Sequence, residues 1–336
     1  MQLPPIATTT VGSFPRPSWL ADHARSDVTF RPQGASLREA QDDATLVILR
    51  EQEEIGLDLL TDGEQRRPNF ISYVLGFWEG MDVVRLAHKP VHRRRASERL
   101  LPRVVGKIKR LRPAVVEDLR FAKAHTARPV KMAVPGPMTI VDSTVDETYG
   151  DEEALAMDAA VAINAELLDL QAAGCDIVQI DEPAMTRYHE KVAAYGARAL
   201  DRCLEGVNIA TIVHLCYGYP GGGTRQHEFE YPELLKHLVK TRIGGFAVEF
   251  GRSNYDPAVL AVCKGRLVMF GCVDPGDSPP PAVGAVVSRV CAALDYIDPA
   301  KMLLAPDCGL MTISRDLART KARLLVEAAR IVRHDL

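Results

Sequence analysis

Eight short apolar runs, spread over nearly the whole chain and separated by stretches of helical periodicity, constrain the fold more than any other feature. They cover residues 6–13, 56–64, 129–136, 176–182, 208–216, 244–250, 266–274 and 302–308, and each closes on a polar or turn residue. Their hydrophobicity is continuous rather than alternating, which suits parallel strands buried on both faces. Helical patterns fall between them, at 36–55, 113–126, 151–173, 231–241, 281–294 and 315–333; Ser36 and Glu39 read as a capping box at the first. Strands and helices in alternation predict an α/β fold, a closed (β/α)8 TIM barrel. An open doubly wound sheet is the competing architecture, but it usually declares a Gly-rich turn after its first strand, and the first run here ends with a single glycine. The glycine-rich stretch 219–224 lacks the Gly-Lys-Ser/Thr that completes a phosphate loop.

The 336 residues would allow two domains, yet one barrel with its loops uses the same length, so a single domain over 1–336 is expected. With 41 Lys+Arg against 44 Asp+Glu the net charge is -3, which gives no general electrostatic grip on nucleic acid. No apolar run approaches the ~18 residues that span a bilayer, and the N-terminus lacks the charged start and apolar stretch of a signal peptide. A soluble, cytoplasmic chain without a membrane partner is expected. The seven cysteines follow no framework spacing and are expected as reduced thiols; Cys175, Cys203, Cys263, Cys272 and Cys291 are assigned to core packing. One stretch departs from the average. Residues 88–112, between the second and third expected strands, carry ten Lys/Arg against one acid, Glu98. This basic insertion is either a solvated hairpin or helix, or a surface that meets an anionic tail on a substrate, cofactor or partner.

In a barrel the chemistry sits at the C-terminal ends of the strands. The polar residues there are Ser13, Asp62, Glu64, Asp181, Glu182, His214, Cys216, Glu249, Cys272, Asp274, Asp307 and Cys308. His214 and Cys216 have strand spacing i, i+2 and so share a face. Together with Glu249 and Cys308 they offer one nitrogen, two sulfurs and a carboxylate at the barrel mouth, a donor set suited to tetrahedral zinc. On spacing alone, a His-x-Cys pair in a strand fits core packing as well as it fits a ligand pair. Glu64 and Asp181, in strand-to-helix turns, equally fit helix capping, and Ser13 fits a turn.

Seven segments taken together, VGSFPRP (11–17), TDGEQRR (61–67), PGPMTI (135–140), QIDEPAM (179–185), HLCY (214–217), VEFGRS (248–253) and PDCGLMT (306–312), resemble in order the C-terminal half of cobalamin-independent methionine synthase. The resemblance implies a (β/α)8 barrel in which zinc is held by His214, Cys216, Glu249 and Cys308. It implies homocysteine as the small-molecule thiol substrate, its amino group against Glu64 and Asp181 and its carboxylate near Ser13. The reaction it implies is methyl transfer to that thiol in methionine biosynthesis, with the zinc-held substrate sulfur as nucleophile.

Three departures concern the methyl donor. The length leaves no room for the second, N-terminal barrel of the full-length family members. The tryptophan that follows their G-P-V-T-I segment is missing after PGPMTI, and their Y-D-I-H-S-P segment reads VDPGDSP at 273–279, without its proton-relay histidine. Methylfolate needs protonation of its leaving amine, so the donor stays open between methylfolate, a methylcorrinoid and a corrinoid protein. The alternative enzyme reading is zinc-dependent alkyl transfer to another thiol, of the coenzyme M type, from an epoxide or another small non-folate donor. A non-catalytic zinc- or thiol-binding barrel and a porphyrinogen decarboxylase-like barrel are further alternatives.

Overall fold

A computed structural model describes residues 3–21, 28–91, 97–217, 230–253 and 255–336. Ten strands are assigned among them: β1 (Ala7–Thr8), β2 (Trp78–Val91), β3 (Ser97–Arg110), β4 (Lys131–Pro135), β5 (Val145–Asp146), β6 (Ile177–Asp181), β7 (Ala210–Leu215), β8 (Gly245–Glu249), β9 (Leu267–Val273) and β10 (Met302–Pro306). Seven form one curled parallel sheet in the order β1-β10-β9-β8-β7-β6-β4, and β2, β3 and β5 form a second, smaller sheet.

The strands of the large sheet are buried on both faces because each face packs on a different core. One parity of residues, including Ala7, Ile177, Ile212, Ala247, Met269 and Leu303, forms a compact inner cluster. The other parity, including Val178, Ile180, Val213, Phe246, Val268, Phe270 and Leu304, joins the larger core under the helices. Those helices, among them Ala35–Ile55, Val116–His125, Glu152–Ala172, Val283–Leu294 and Arg315–His334, cover the outside. Their ends follow local chemistry. Asp151 accepts from the Glu153 N–H, Ser314 accepts from the Leu317 N–H, and Gly56 closes the first helix in the left-handed conformation that glycine adopts without steric cost.

Three expectations are corrected. The run 56–64 is not a ladder strand: it makes one parallel bridge, Leu60 to Val130, and bonds from the Asp58 and Leu59 N–H groups to the Thr8 carbonyl. Side chains take the places a ladder would use. The Asp58 carboxylate accepts from the Thr8 N–H (2.9 Å), and the Gln52 carboxamide bonds both the Thr61 N–H (3.0 Å) and its carbonyl (2.8 Å). The Ser36 capping box is absent, since the helix starts at Ala35 behind Gly34 and Ser36 Oγ donates to the Gln33 carbonyl. Cys291 is exposed, whereas Cys175, Cys203, Cys263 and Cys272 are buried as expected.

The basic stretch belongs to an antiparallel hairpin, β2 with β3, that begins well before it. Most of its cations that lie in the described residues are engaged. Arg103 pairs with Glu147, Lys107 with Asp158, and Arg110 with Glu166 and Asp169. Lys89 donates to the Val141 and Thr144 carbonyls, and Arg112 stacks over Phe77. Residues 93–95 and the stretch 219–224 lie outside the described residues. No helix among the described residues is long and apolar enough to cross a membrane.

Candidate metal and substrate site

The inner face of the sheet changes character along its strands. Toward the strand starts it is apolar except at Lys131. Toward their C-terminal ends the same parity places Gln179, Asp181, His214 and Glu249, followed by Cys216 and Asp307 just past the last strand residues. Adjacent strands bring them together in register, with Asp181 beside His214 and Glu249 beside Gly271.

His214, Cys216 and Cys308 each present a donor atom within 4.8 Å of the others. The two sulfurs are 3.7 Å apart. His214 Nδ1 lies 2.9 Å from Asp181 Oδ1, and its Nε2 lies 3.4 Å from the Asp307 carbonyl, next to Cys308. A histidine that gives Nδ1–H to a carboxylate has its Nε2 lone pair free for a metal, the usual arrangement around metal-bound imidazoles. Glu249 is buried nearby but not in that tightest group; its Oε1 accepts from the Tyr217 N–H (3.1 Å).

Two supports hold these strand ends, and sequence reasoning missed the first. Tyr231 Oη donates to the Leu215 carbonyl (2.6 Å) and accepts from the Glu249 N–H (2.9 Å), pinning β7 to β8. Asp307 Oδ1 accepts from the Gly251 N–H (2.7 Å) and the Phe250 N–H (3.2 Å), so the turn carrying Cys308 is tied to the end of β8. Gly271 permits that approach, since a Cβ there would sit 2.6 Å from Asp307 Oδ1.

The electrostatics favour a cation. Burial pushes the Glu249 carboxyl well above the ordinary carboxylate range, with Asp307 and Cys216 adding to the rise. The hydrogen bond with Cys216, then burial, does the same to the Cys308 thiol. Burial opposes a charged His214, but Cys216 and Asp181 outweigh it and hold its pKa high. Groups crowded this way keep protons that a divalent cation would displace. One nitrogen and two sulfurs, with a carboxylate close by, is a zinc-type donor set.

Beside the cluster lie two buried acids, Glu64 and Asp181. Glu64 has a left-handed backbone (φ 54°) and is held by its own N–H to Asp62 Oδ1 (3.1 Å) and by the buried Arg16, which donates to its carbonyl (3.0 Å). Burial raises its carboxyl to about 7, with Arg67 pulling down and Asp181 pushing up. Gly12 makes room for it, because a Cβ there would lie 2.7 Å from Glu64 Oε1. Ser13 is buried against Gly309, adjacent to Cys308, and its carbonyl accepts from the Leu310 N–H (2.9 Å). Glu182, by contrast, points away to cap a short helix, accepting from Met138 N–H (3.0 Å), Thr139 N–H and Thr139 Oγ1 (both 2.8 Å). Cys272 is buried with its thiol 3.7 Å from the Ala305 carbonyl. The 273–279 turn contains no histidine.

A curled parallel α/β sheet with a nitrogen–sulfur cluster at its C-terminal strand ends, beside two buried acids, defines an α/β enzyme scaffold with a metal-type site. A family model described as "Cobalamin-independent synthase, Catalytic domain" matches residues 6–331, and the chain belongs to the cobalamin-independent methionine synthase family. It is 30% identical to a methionine synthase of Sulfurisphaera tokodaii over 336 residues, covering all of this chain and 95% of that one. It is 31% identical to a methionine synthase of Saccharolobus solfataricus over 338 residues, covering all of this chain and 97% of that one. Among solved structures, a B12-independent methionine synthase from Shewanella sp. W3-18-1 in complex with selenomethionine superposes with a TM-score of 0.93 at 32% identity, over 99% of both chains.

Proposed function

We propose that this chain is a zinc-dependent methyltransferase that transfers a methyl group to the thiol of homocysteine, giving methionine. The observation that carries the reading is the convergence of His214, Cys216 and Cys308 within 4.8 Å, beside the buried acids Glu64 and Asp181. The names of the relatives support it, and the selenomethionine bound to the Shewanella protein is an amino acid of the product's shape. In this reading His214, Cys216 and Cys308 hold the zinc and Glu249 completes the set. We also read the seven-stranded sheet and residues 57–61 as a closed eight-membered barrel forming one domain over 1–336. The bonds of residues 58–60 to Thr8 on one side and to Pro129 and Lys131 on the other support that closure. Cys216 and Cys308, 3.7 Å apart, serve as ligands only when reduced, which favours the cytoplasm.

A zinc ion held by these residues would supply Lewis acidity, lowering the pKa of a substrate thiol. The protein's own groups do the rest. Asp181 orients His214 through Oδ1. Glu64 and Asp181 present negative charge to the substrate ammonium, a charge-assisted recognition of an amino acid. The Ser13 hydroxyl stands where the substrate carboxylate is read to lie. Burial of Ser13, Glu64 and Asp181 strengthens each of these contacts. The donor class is methylfolate or a methylcorrinoid, free or on a carrier protein, and assays with each separate them.

Zinc near one per chain is expected by metal analysis of the purified protein. It should fall sharply in Cys216→Ser and Cys308→Ser and stay in Cys203→Ser. Isothermal titration should show homocysteine binding to the zinc-loaded protein that weakens in Glu64→Ala and Asp181→Ala. No binding, or binding indifferent to both substitutions, would sink the reading.

A further inference from the structure

We propose that Lys131, acting through Gln179, is a positioning residue for the metal centre, fixing the orientation of Asp181 and through it the ring of His214. The inference rests on reading His214, Cys216 and Cys308 as a metal-binding set, and it adds residues that lie behind that set. Lys131 is the first residue of β4, and its ladder partner Ile177 belongs to the inner apolar cluster with Ile212, Ala247, Met269 and Leu303. An ammonium beside such a cluster is costly unless it is bonded and its charge is answered. Lys131 is 1% exposed; its Nζ donates to the Val11 carbonyl (2.6 Å) and to Gln179 Oε1 (2.6 Å). Burial lowers its pKa to about 8, while Asp181, Glu64 and Asp62 work the other way.

The chemistry of the donors makes this a one-way chain. An ammonium has donors only, so the carboxamide atom of Gln179 that faces it must be the oxygen, which removes the usual ambiguity of a glutamine flip. The amide NH2 therefore faces Asp181, and Nε2 donates to Oδ1 at 2.7 Å. That same oxygen takes the Nδ1–H of His214 at 2.9 Å. With two donors on Oδ1 the carboxylate has one favoured rotation, the imidazole has one tautomer, and Nε2 is left with its lone pair available to a metal. Each link forces the next. An apolar side chain at 131 would leave Gln179 free to turn and Asp181 free to swing.

The experiment is zinc competition against a chromophoric chelator, with cobalt-substituted protein read by its visible spectrum, in the full chain carrying Lys131→Met, Gln179→Leu or both. Partners behind metal ligands are worth about 10–100-fold in metal affinity, so each single variant is expected to weaken zinc roughly tenfold and to shift the cobalt bands. The double variant should cost no more than the larger single, because links of one chain are not additive. Lys89→Met, at a half-buried lysine bonded to two carbonyls, should leave affinity and spectrum as in the wild type. Zinc affinity within about twofold of wild type in both single variants, or costs that add in the double, would overturn the proposal. If Lys131→Met fails to fold, Gln179→Leu, which puts an apolar side chain among apolar neighbours, decides alone by the same criteria. These readouts need no substrate. Failure of homocysteine to bind would overturn the proposed function and leave a tenfold loss of zinc affinity supporting this chain, whereas normal homocysteine binding with unmoved metal affinity would overturn the chain only.

Discussion

Glu64 combines a left-handed backbone, unusual for a side-chain-bearing residue, with a carboxyl raised to about 7 by burial. The sign of its effect on binding follows directly. Below pH 7 the carboxyl is neutral and offers the substrate ammonium a hydrogen bond without charge; above it the charge is present. Homocysteine affinity should therefore rise as pH passes upward through about 7. Because thiol deprotonation also depends on pH, the informative quantity is the ratio of wild-type to Glu64→Gln affinity, titrated at pH 6 and pH 8; a ratio that does not change would show that Glu64 is not the titrating contact. The positions of Glu64, Asp181, His214, Cys216 and Cys308 were legible because each terminates a strand-length run, where side chains face the open end of a parallel sheet. Lys131 and Gln179 were not, because both sit inside runs whose apolar neighbours dominate the pattern. A lysine within an otherwise apolar strand was the available signal. Tyr231 left none, since it reaches the site from a helix.

Strand parity explains both what the periodicity predicted and where it failed. Seven runs became strands because both of their faces find apolar partners. The run 56–64 did not, because Asp58 and Gln52 intercept its backbone partners, and side-chain competition of that kind has no periodic signature. The turns that follow the strands are as constrained as the strands. Gly12 and Glu64 come from two such turns and meet at 2.7 Å from a would-be Cβ. Gly12→Ala should displace the Glu64 carboxylate and raise the KM for homocysteine by about tenfold or more, as misplacement near 1 Å at a binding contact does. Metal analysis should find its zinc content unchanged, since the atoms nearest a Cβ at Gly12 belong to Glu64 and Ala133 and to none of the four proposed ligands.

One buried acid supplies several of the bonds that hold the hairpin of β2 and β3 to the body of the molecule. Glu166, on the helix Glu152–Ala172, pairs with Arg110 (2.8 Å) and accepts from the Ala114 and Val115 N–H groups (3.0 and 2.8 Å). It is buried, so Glu166→Ala leaves two backbone donors unanswered and Arg110 with Asp169 as its remaining acidic partner. A loss of about 2–4 kcal/mol in unfolding free energy is expected from denaturant titration. The local charge of the 88–112 stretch, evident in the sequence, is thus spent largely on neighbours such as Glu147, Asp158, Glu166 and Asp169, which lie outside that stretch and only fold next to it.

Cys216 and Cys308 stand 92 positions apart, on the ends of strands with two others between them in the sheet. While the chain is being made, a ribosome that has released β7 has exposed His214 and Cys216 but has not yet synthesised Cys308. On the proposed zinc reading, the half-formed site has too few donors to hold an ion tightly, and metal loading would wait for completion of β10 and its joining to β9. Metallation would then be a checkpoint on assembly: a chain truncated or misfolded near its end would give up its claim on zinc.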